Sequence, residues 1–290
     1  MPYWLKQTPY RFVEIDYIIY AELIWKVIVV KVNETKDVLF SSENDLKLDI
    51  YDDGSDDNKR AAIIDIHGGG WFRGDKGKDE DLGETLAELG YLVLIPNYRI
   101  TPQGYYPDPI DDIADVIEWL KNSNLKFDRN RIGLLGSSAG GNLAVEASMR
   151  YGLPAASWSG IFDIEDWLAD HQDVVGEQNT DIKPNTPSNK IDQDGKNDPF
   201  YKWFIMNYLQ DESKAYDATP VHRVTDKVGP LFLANSLNEF VPNSGVMELE
   251  QKLIDLQIPV ETKFLTGGRH AKGYMDDVLP ATLAFFDQYL

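Results

Sequence analysis

The 290-residue chain contains no cysteine, which excludes a disulfide framework, a thiolate nucleophile and any Cys-ligated zinc. Covalent catalysis, if present, falls to oxygen nucleophiles. Histidine is scarce too: only His67, His171, His222 and His270 occur. They are scattered, and neither HExxH nor an acidic ligand cluster at binding spacing accompanies them, so no metal is expected. Basic residues are few: 28 Lys and Arg face 48 Asp and Glu, for a formal charge of -20. Such a surface repels phosphate backbones and anionic lipid, so nucleic acid is not an expected partner and strongly anionic substrates are disfavoured. Long apolar runs are missing as well. The nearest, residues 17–30 (YIIYAELIWKVIVV), is too short to span a bilayer and is interrupted by Glu22 and Lys26. No stable membrane insertion is expected. The start, MPYWLKQTPYRF, lacks the basic stretch and apolar run of a signal peptide, which gives a cytoplasmic expectation.

What is present is an apolar fraction of 43% with 12% aromatics, enough for a large core. The length suits one α/β domain, residues 1–290, carrying an insertion. Residues 37–53 alternate, with Leu46, Leu48 and Ile50 on one face, and read as two antiparallel edge strands. Short apolar runs follow at 61–66, 91–96, 132–135, 153–158, 231–234 and 260–265, the pattern of buried parallel strands. Helical spacing lies between them at 80–89, 110–120, 139–150, 246–256 and 281–290. The alternation predicts a doubly wound, mostly parallel sheet. Residues 162–229 interrupt it, between the sixth and seventh strands, as a cap-like insertion. Its middle, 176–199, reads as a long polar loop followed by the aromatic segment FYKWFIMNYL. No internal repeat is found.

GSSAG at 136–140 matches GxSxG, preceded by the strand-like RIGLL and followed by the helix-like NLAVEASM. That context is a nucleophile elbow, with Ser138 lifted above the sheet at a helix N-terminus. Glycines flank it because a side chain there would meet neighbouring backbone. HGGGW at 67–71 follows the strand AAIIDI directly. This chain's own frequencies give about 0.002 chance occurrences of HGGG, so it is the more specific signal. Consecutive glycines let backbone N–H groups turn toward a substrate carbonyl, and Gly68, Gly69 and Ala139 are the candidate oxyanion donors. A serine nucleophile needs a base. His67 belongs to the glycine loop, and His171 and His222 lie in the insertion or its exit. His270 follows the last strand through Gly267 and Gly268, last in the order Ser, acid, His.

The set HGGGWFRGDK, NYRITPQGYYPDPIDD, RIGLLGSSAGGNLA, NEFVP and GGRH resembles the bacterial carboxylesterases of the hormone-sensitive-lipase-like, acetylesterase and feruloyl-esterase-like branch of the α/β-hydrolases. The resemblance covers roughly residues 45–290 and implies the α/β-hydrolase fold and broad alcohol and acyl preference. The N-terminal segment, residues 1–36, is then expected to pack near the active-site mouth, with docking to a lipid interface as the alternative. In that family the acid precedes VP in a D-x-x-VP pattern. Here Asn238 stands at that position, in LFLANSLNEFVP. Three readings follow: Glu239 replaces the acid, Asn238 orients His270 weakly through its amide oxygen, or the triad is disabled.

Asp112 belongs to the same shared stretch and either helps to fix the oxyanion loop or serves as a helix N-terminal acid. Trp71, Trp167, Trp203 and Phe204 are candidate pocket residues, with core packing as the alternative. HGGGWFRG does not offer the GxGxxG of a dinucleotide loop, and no cofactor is expected. The expected activity is serine-dependent hydrolysis of a small, short-chain, acetyl-like ester. Its rivals are a hydrolase-fold protein that binds a small ligand without turnover, and an amidase, formamidase or peptidase using the same residues.

Overall fold

The computed structural model describes residues 31–178, 197–239 and 241–290. Within it, Val32–Leu290 forms one compact unit. The expectation for the N-terminal segment falls mostly on residues 1–30, and that for the polar loop mostly on residues 179–196; both lie outside the described residues.

Eight strands form one sheet: β1 (Asn33–Ser41), β2 (Leu46–Asp52), β3 (Ala62–Ile66), β4 (Leu92–Pro96), β5 (Ile132–Ser137), β6 (Ala155–Trp158), β7 (Leu231–Ser236) and β8 (Val260–Leu265). Their spatial order is β1-β2-β4-β3-β5-β6-β7-β8. β1 pairs antiparallel with β2, and β2 with β4, while every later pairing is parallel. The chain thus adopts the doubly wound, mostly parallel sheet of the α/β-hydrolase fold. β1 begins at Asn33, inside the stretch set apart as the N-terminal segment, and its first residues NETKD are exposed. A polar edge strand has no apolar alternation to betray it.

The helices are α1 (Glu80–Glu88), α2 (Asp108–Asn122), α3 (Ala139–Tyr151), α4 (Glu165–Asp170), α5 (Asp198–Leu209), α6 (Pro220–Arg223), α7 (Ser244–Asp255) and α8 (Met275–Tyr289). The sheet buries both faces, as a parallel sheet must. One face packs Ile64, Leu134 and Leu233 against Ile113, Leu143 and Leu249 of α2, α3 and α7. On the other, Ile63, Leu135 and Phe232 meet Leu82 and Leu86 of α1 and Val278, Phe285 and Phe286 of α8. In α7, Val246, Leu249 and Leu253 are fully buried, the spacing of one helical face.

The connection from β6 to β7 is the insertion. Its described elements are α4, α5, a short 3₁₀ turn at Glu212–Lys214 and α6. Among the described residues no helix is long and apolar enough to cross a membrane.

Candidate active site

The carboxyl end of β5 turns sharply into α3 at Ser138, whose backbone sits at φ 56 and ψ -119. A residue with a Cβ adopts that conformation only when its surroundings enforce it. Two contacts do so: the Ser138 N–H donates to Trp158 O at the end of β6 (2.7 Å), and Ser138 O accepts from Asn142 N (3.1 Å). The flanking glycines are required by close approach. A methyl at Gly140 would lie 1.9 Å from Ile66 O, and one at Gly136 would lie 2.1 Å from Gly140 O. Ser138 is half-buried, whereas its neighbours Ser137 and Ala139 are buried.

The glycine loop lies against this turn. A methyl on Gly68 would sit 2.6 Å from Ser137 O and 3.2 Å from the Ser138 Cβ. Among the described residues the N–H groups of Gly68 and Gly69 meet no acceptor, and Ala139, first residue of α3, has no intrahelical acceptor for its own. His67 supports the loop from behind. Its ring stacks on Tyr98 (4.3 Å between centroids), the Tyr98 hydroxyl donates to His67 O (2.9 Å), and Nδ1 lies 3.0 Å from Gly68 O. Burial holds the His67 imidazole below its usual pKa, so it is neutral and donates from Nδ1 to that carbonyl.

Asp112 anchors the segment that carries Tyr98. Its carboxylate accepts from the Arg99 backbone N–H (2.7 Å), Nε (2.9 Å) and Nη2 (2.8 Å). Two residues further on, Thr101 N–H donates to Trp71 O (2.8 Å). Burial raises the Asp112 pKa, and Arg99 offsets that only in part.

His270 lies in the loop after β8. Its Nδ1 is 2.6 Å from Glu239 Oε2, with both side chains buried. The second Glu239 oxygen accepts from the Ser236 N–H (2.7 Å). Because carboxylate oxygens accept, Nδ1 donates to Glu239. Asn238 is not part of this contact. It is exposed and offers its backbone N–H to Gly267 O (3.0 Å). That bond, with Leu237 N–H to Leu265 O (2.8 Å), ties the loop after β7 to the loop after β8 and brings the glutamate, one residue on, to the histidine.

On the far side of the same loop the Lys272 ammonium reaches Asp79 (3.1 Å), Asp81 (2.5 Å) and Lys78 O (2.9 Å). Burial opposes its charge, but the two carboxylates outweigh burial and raise its pKa.

The pocket candidates join an aromatic stack of the insertion and the glycine loop. Trp71, fully buried, stacks on Tyr208 (4.2 Å), while Phe72 meets Trp203 edge-on (5.0 Å) and Phe204 at 6.4 Å. Trp167 lies apart from Trp71, against His171 and Tyr201. Trp71, Trp167 and Phe204 are core-like, and Trp203 alone of the four is half-exposed.

Two buried residues carry no motif and were missed in the sequence: Ser159, just past β6, and Tyr274, just before α8. Both bond to the His270 loop or to the sheet beneath it. Another cluster, Glu165, Asp166 and His222, brings ligand-type atoms within 4.8 Å of one another. Glu165 and His222 are half-buried and Asp166 is exposed, and the two carboxylates flank opposite ring nitrogens.

Residues 48–253, well over half of the chain, match the family model BD-FAE. The chain belongs to the BD-FAE family. Among curated proteins this BD-FAE chain is similar to arylacetamide deacetylase of Oryctolagus cuniculus, 34% identical over 98 residues, covering 31% of this chain and 25% of the relative. It is also similar to isoprenylcysteine alpha-carbonyl methylesterase of Arabidopsis thaliana, 32% identical over 111 residues, covering 38% and 26%. The aligned stretch thus spans about a quarter of the length of these relatives. Among solved structures, a hyperthermophilic esterase from the archaeon Pyrobaculum calidifontis superposes with a TM-score of 0.71 at 16% identity, covering 89% of this chain and 83% of that one. At that identity the likeness concerns the fold.

Proposed function

We propose that this BD-FAE protein is a serine carboxylesterase that hydrolyses short-chain, acetyl-like esters through an acyl-enzyme. The observation that carries the reading is the buried contact between His270 Nδ1 and Glu239 Oε2 at 2.6 Å, because a carboxylate behind an imidazole is what a serine hydrolase requires. Glu239 holds the ring in the tautomer whose Nε2 accepts a proton. As Ser138 Oγ attacks the ester carbonyl, its proton passes to Nε2. The carbonyl oxygen becomes an anion facing the N–H groups of Gly68, Gly69 and Ala139. Collapse breaks the bond to the alcohol, which leaves with the proton from Nε2. Water, deprotonated by Nε2, then adds to the acyl-Ser138 carbonyl, and the second collapse frees the acid and restores the serine.

Support for a short acyl group comes from the packing of Phe72, beside the glycine loop, against Trp203 and Phe204 of the insertion. In this reading the insertion acts as a cap. The names of the relatives, a deacetylase and a methylesterase, agree with a small acyl or alkoxy group. The acidic surface favours neutral esters.

Turnover of p-nitrophenyl acetate by the purified protein tests the reading, with Ser138→Ala expected to abolish it. Loss of turnover in neither protein, or absence in both, contradicts it. One relative's name, arylacetamide deacetylase, refers to an amide, so p-nitroacetanilide beside the ester separates amidase from esterase action. The ester is expected to be the faster substrate.

A further inference from the structure

We propose that Ser159 and Tyr274 are positioning residues: through the backbone of Ala271 they hold the His270 imidazole in register with Ser138. The inference rests on His270 being the base.

The residue after His270 has an unusual backbone. Ala271 sits at φ 50, a left-handed conformation that a residue with a Cβ keeps only under external constraint. The constraint is a hydrogen bond from the Ala271 N–H to Ser159 Oγ at 2.8 Å. Ser159 Oγ is also 2.7 Å from Tyr274 Oη, and Tyr274 Oη is 2.7 Å from Ala234 O, the sheet carbonyl to which it donates. These partners fix every proton in the chain. The Tyr274 hydrogen goes to Ala234 O, since a carbonyl only accepts. Tyr274 Oη must therefore accept from the Ser159 hydroxyl. That leaves the Ser159 lone pairs facing Ala271 N–H. The relay runs one way, from Ala271 through Ser159 and Tyr274 into β7, and all three residues are buried.

Its anchor is shared with the nucleophile. Trp158 O, one residue before Ser159, accepts the Ser138 N–H at 2.7 Å. Ser159 is itself held at φ 56, with its N–H on Ala234 O (2.7 Å). The end of β6 thus holds the backbone of Ser138 with one residue and that of the His270 loop with the next. Neither hydroxyl is suited to take part in proton transfer. Burial, and after it the charge of Glu239, raises the Tyr274 pKa well above the ordinary phenol range, so it stays a fixed donor.

The decisive variant is Ser159→Gly. Glycine accepts a positive φ readily, so this change removes the hydroxyl while easing the backbone of residue 159. The expected result is a folded protein with Tm lowered by a few degrees, because the buried Ala271 N–H loses its acceptor while the strain at residue 159 is eased; with p-nitrophenyl acetate KM is little changed and kcat is lowered about tenfold or more by a misplaced base. Tyr274→Phe, which keeps the ring and leaves Ser159 able to accept, should give a smaller kcat loss of about threefold, again with KM little changed. A folded Ser159→Gly protein with parental kcat, or one whose loss falls on KM and leaves kcat parental, overturns the inference. Should that variant not fold, Tyr274→Phe decides by the same two readouts. A parent without turnover, or a Ser138→Ala variant that retains it, overturns instead the reading of Ser138 and His270.

Discussion

His270 Nδ1 and Glu239 Oε2 stand 2.6 Å apart with both side chains buried, while the adjacent Asn238 is exposed. In the proposed triad the carboxylate therefore comes from one residue further along the loop. The extra methylene of glutamate over aspartate spans the added distance.

Glu239→Gln is therefore expected to lower kcat for p-nitrophenyl acetate by about 10⁴, the usual penalty when a neutral amide replaces the acid and selects the wrong tautomer. Asn238→Asp, at an exposed position, should leave kcat within about twofold. Steady-state kinetics of the two variants check both statements. The opposite ranking would move the acid role back to position 238.

The close approach of the elbow to β3 makes a stability prediction. A methyl at Gly140 would lie 1.9 Å from Ile66 O and 2.6 Å from His67 O, and backbone cannot swing aside as a side chain would. Gly140→Ala should destabilise the protein by about 3 kcal/mol, the upper part of the usual range for overpacking. Urea unfolding measures the loss.

Asp112 is fully buried and paired with an Arg99 that remains 22% exposed at its side chain. Asp112→Asn removes the charge and leaves the guanidinium facing an amide. The expected cost is about 3 kcal/mol, the lower end for a broken buried pair because Arg99 can turn to water. Activity should fall with it, since the pair anchors the segment whose Tyr98 hydroxyl holds His67 O. Thermal unfolding and ester turnover measured together test the link.

Asp65, on β3, is buried with neither carboxyl oxygen hydrogen-bonded among the described residues. Burial, and then the neighbouring Asp79, holds its pKa well above the ordinary 3.8. Between those two values the folded protein binds a proton that the unfolded chain has released. Stability from this group therefore declines as pH rises above 3.8 toward the folded value. Asp65→Asn should abolish the decline, so its Tm advantage over the parent should be larger at pH 8 than at pH 4. Equal differences at the two pH values would contradict the assignment.

Much of this architecture can be read from pattern alone, and the exceptions have physical causes. Buried parallel strands announce themselves because both faces are apolar, as in Ile132–Ser137 and Leu231–Ser236. The exposed start of β1 carries no such mark. The last helix was expected at 281–290, yet α8 begins at Met275 and keeps Pro280, which lacks an N–H, inside. There the burial of Val278, Phe285 and Phe286 against the sheet outweighs the lost hydrogen bond. At the candidate site, the two glycine motifs identify themselves because close backbone approach permits no other residue. The choice between Asn238 and Glu239 depends on how two loops are tied together at Gly267, a relation between distant segments that spacing does not encode. Ser159 and Tyr274 are ordinary residue types whose meaning lies in a chain of hydrogen bonds across three strand ends.

The most direct measurement is the site of modification by a fluorophosphonate, read by mass spectrometry of the digested protein. An activated serine predicts one adduct on the folded parent, located at Ser138, and strongly slowed labelling in His270→Ala and Glu239→Gln. A folded parent that takes up no label, or takes it up elsewhere, would contradict a catalytic Ser138.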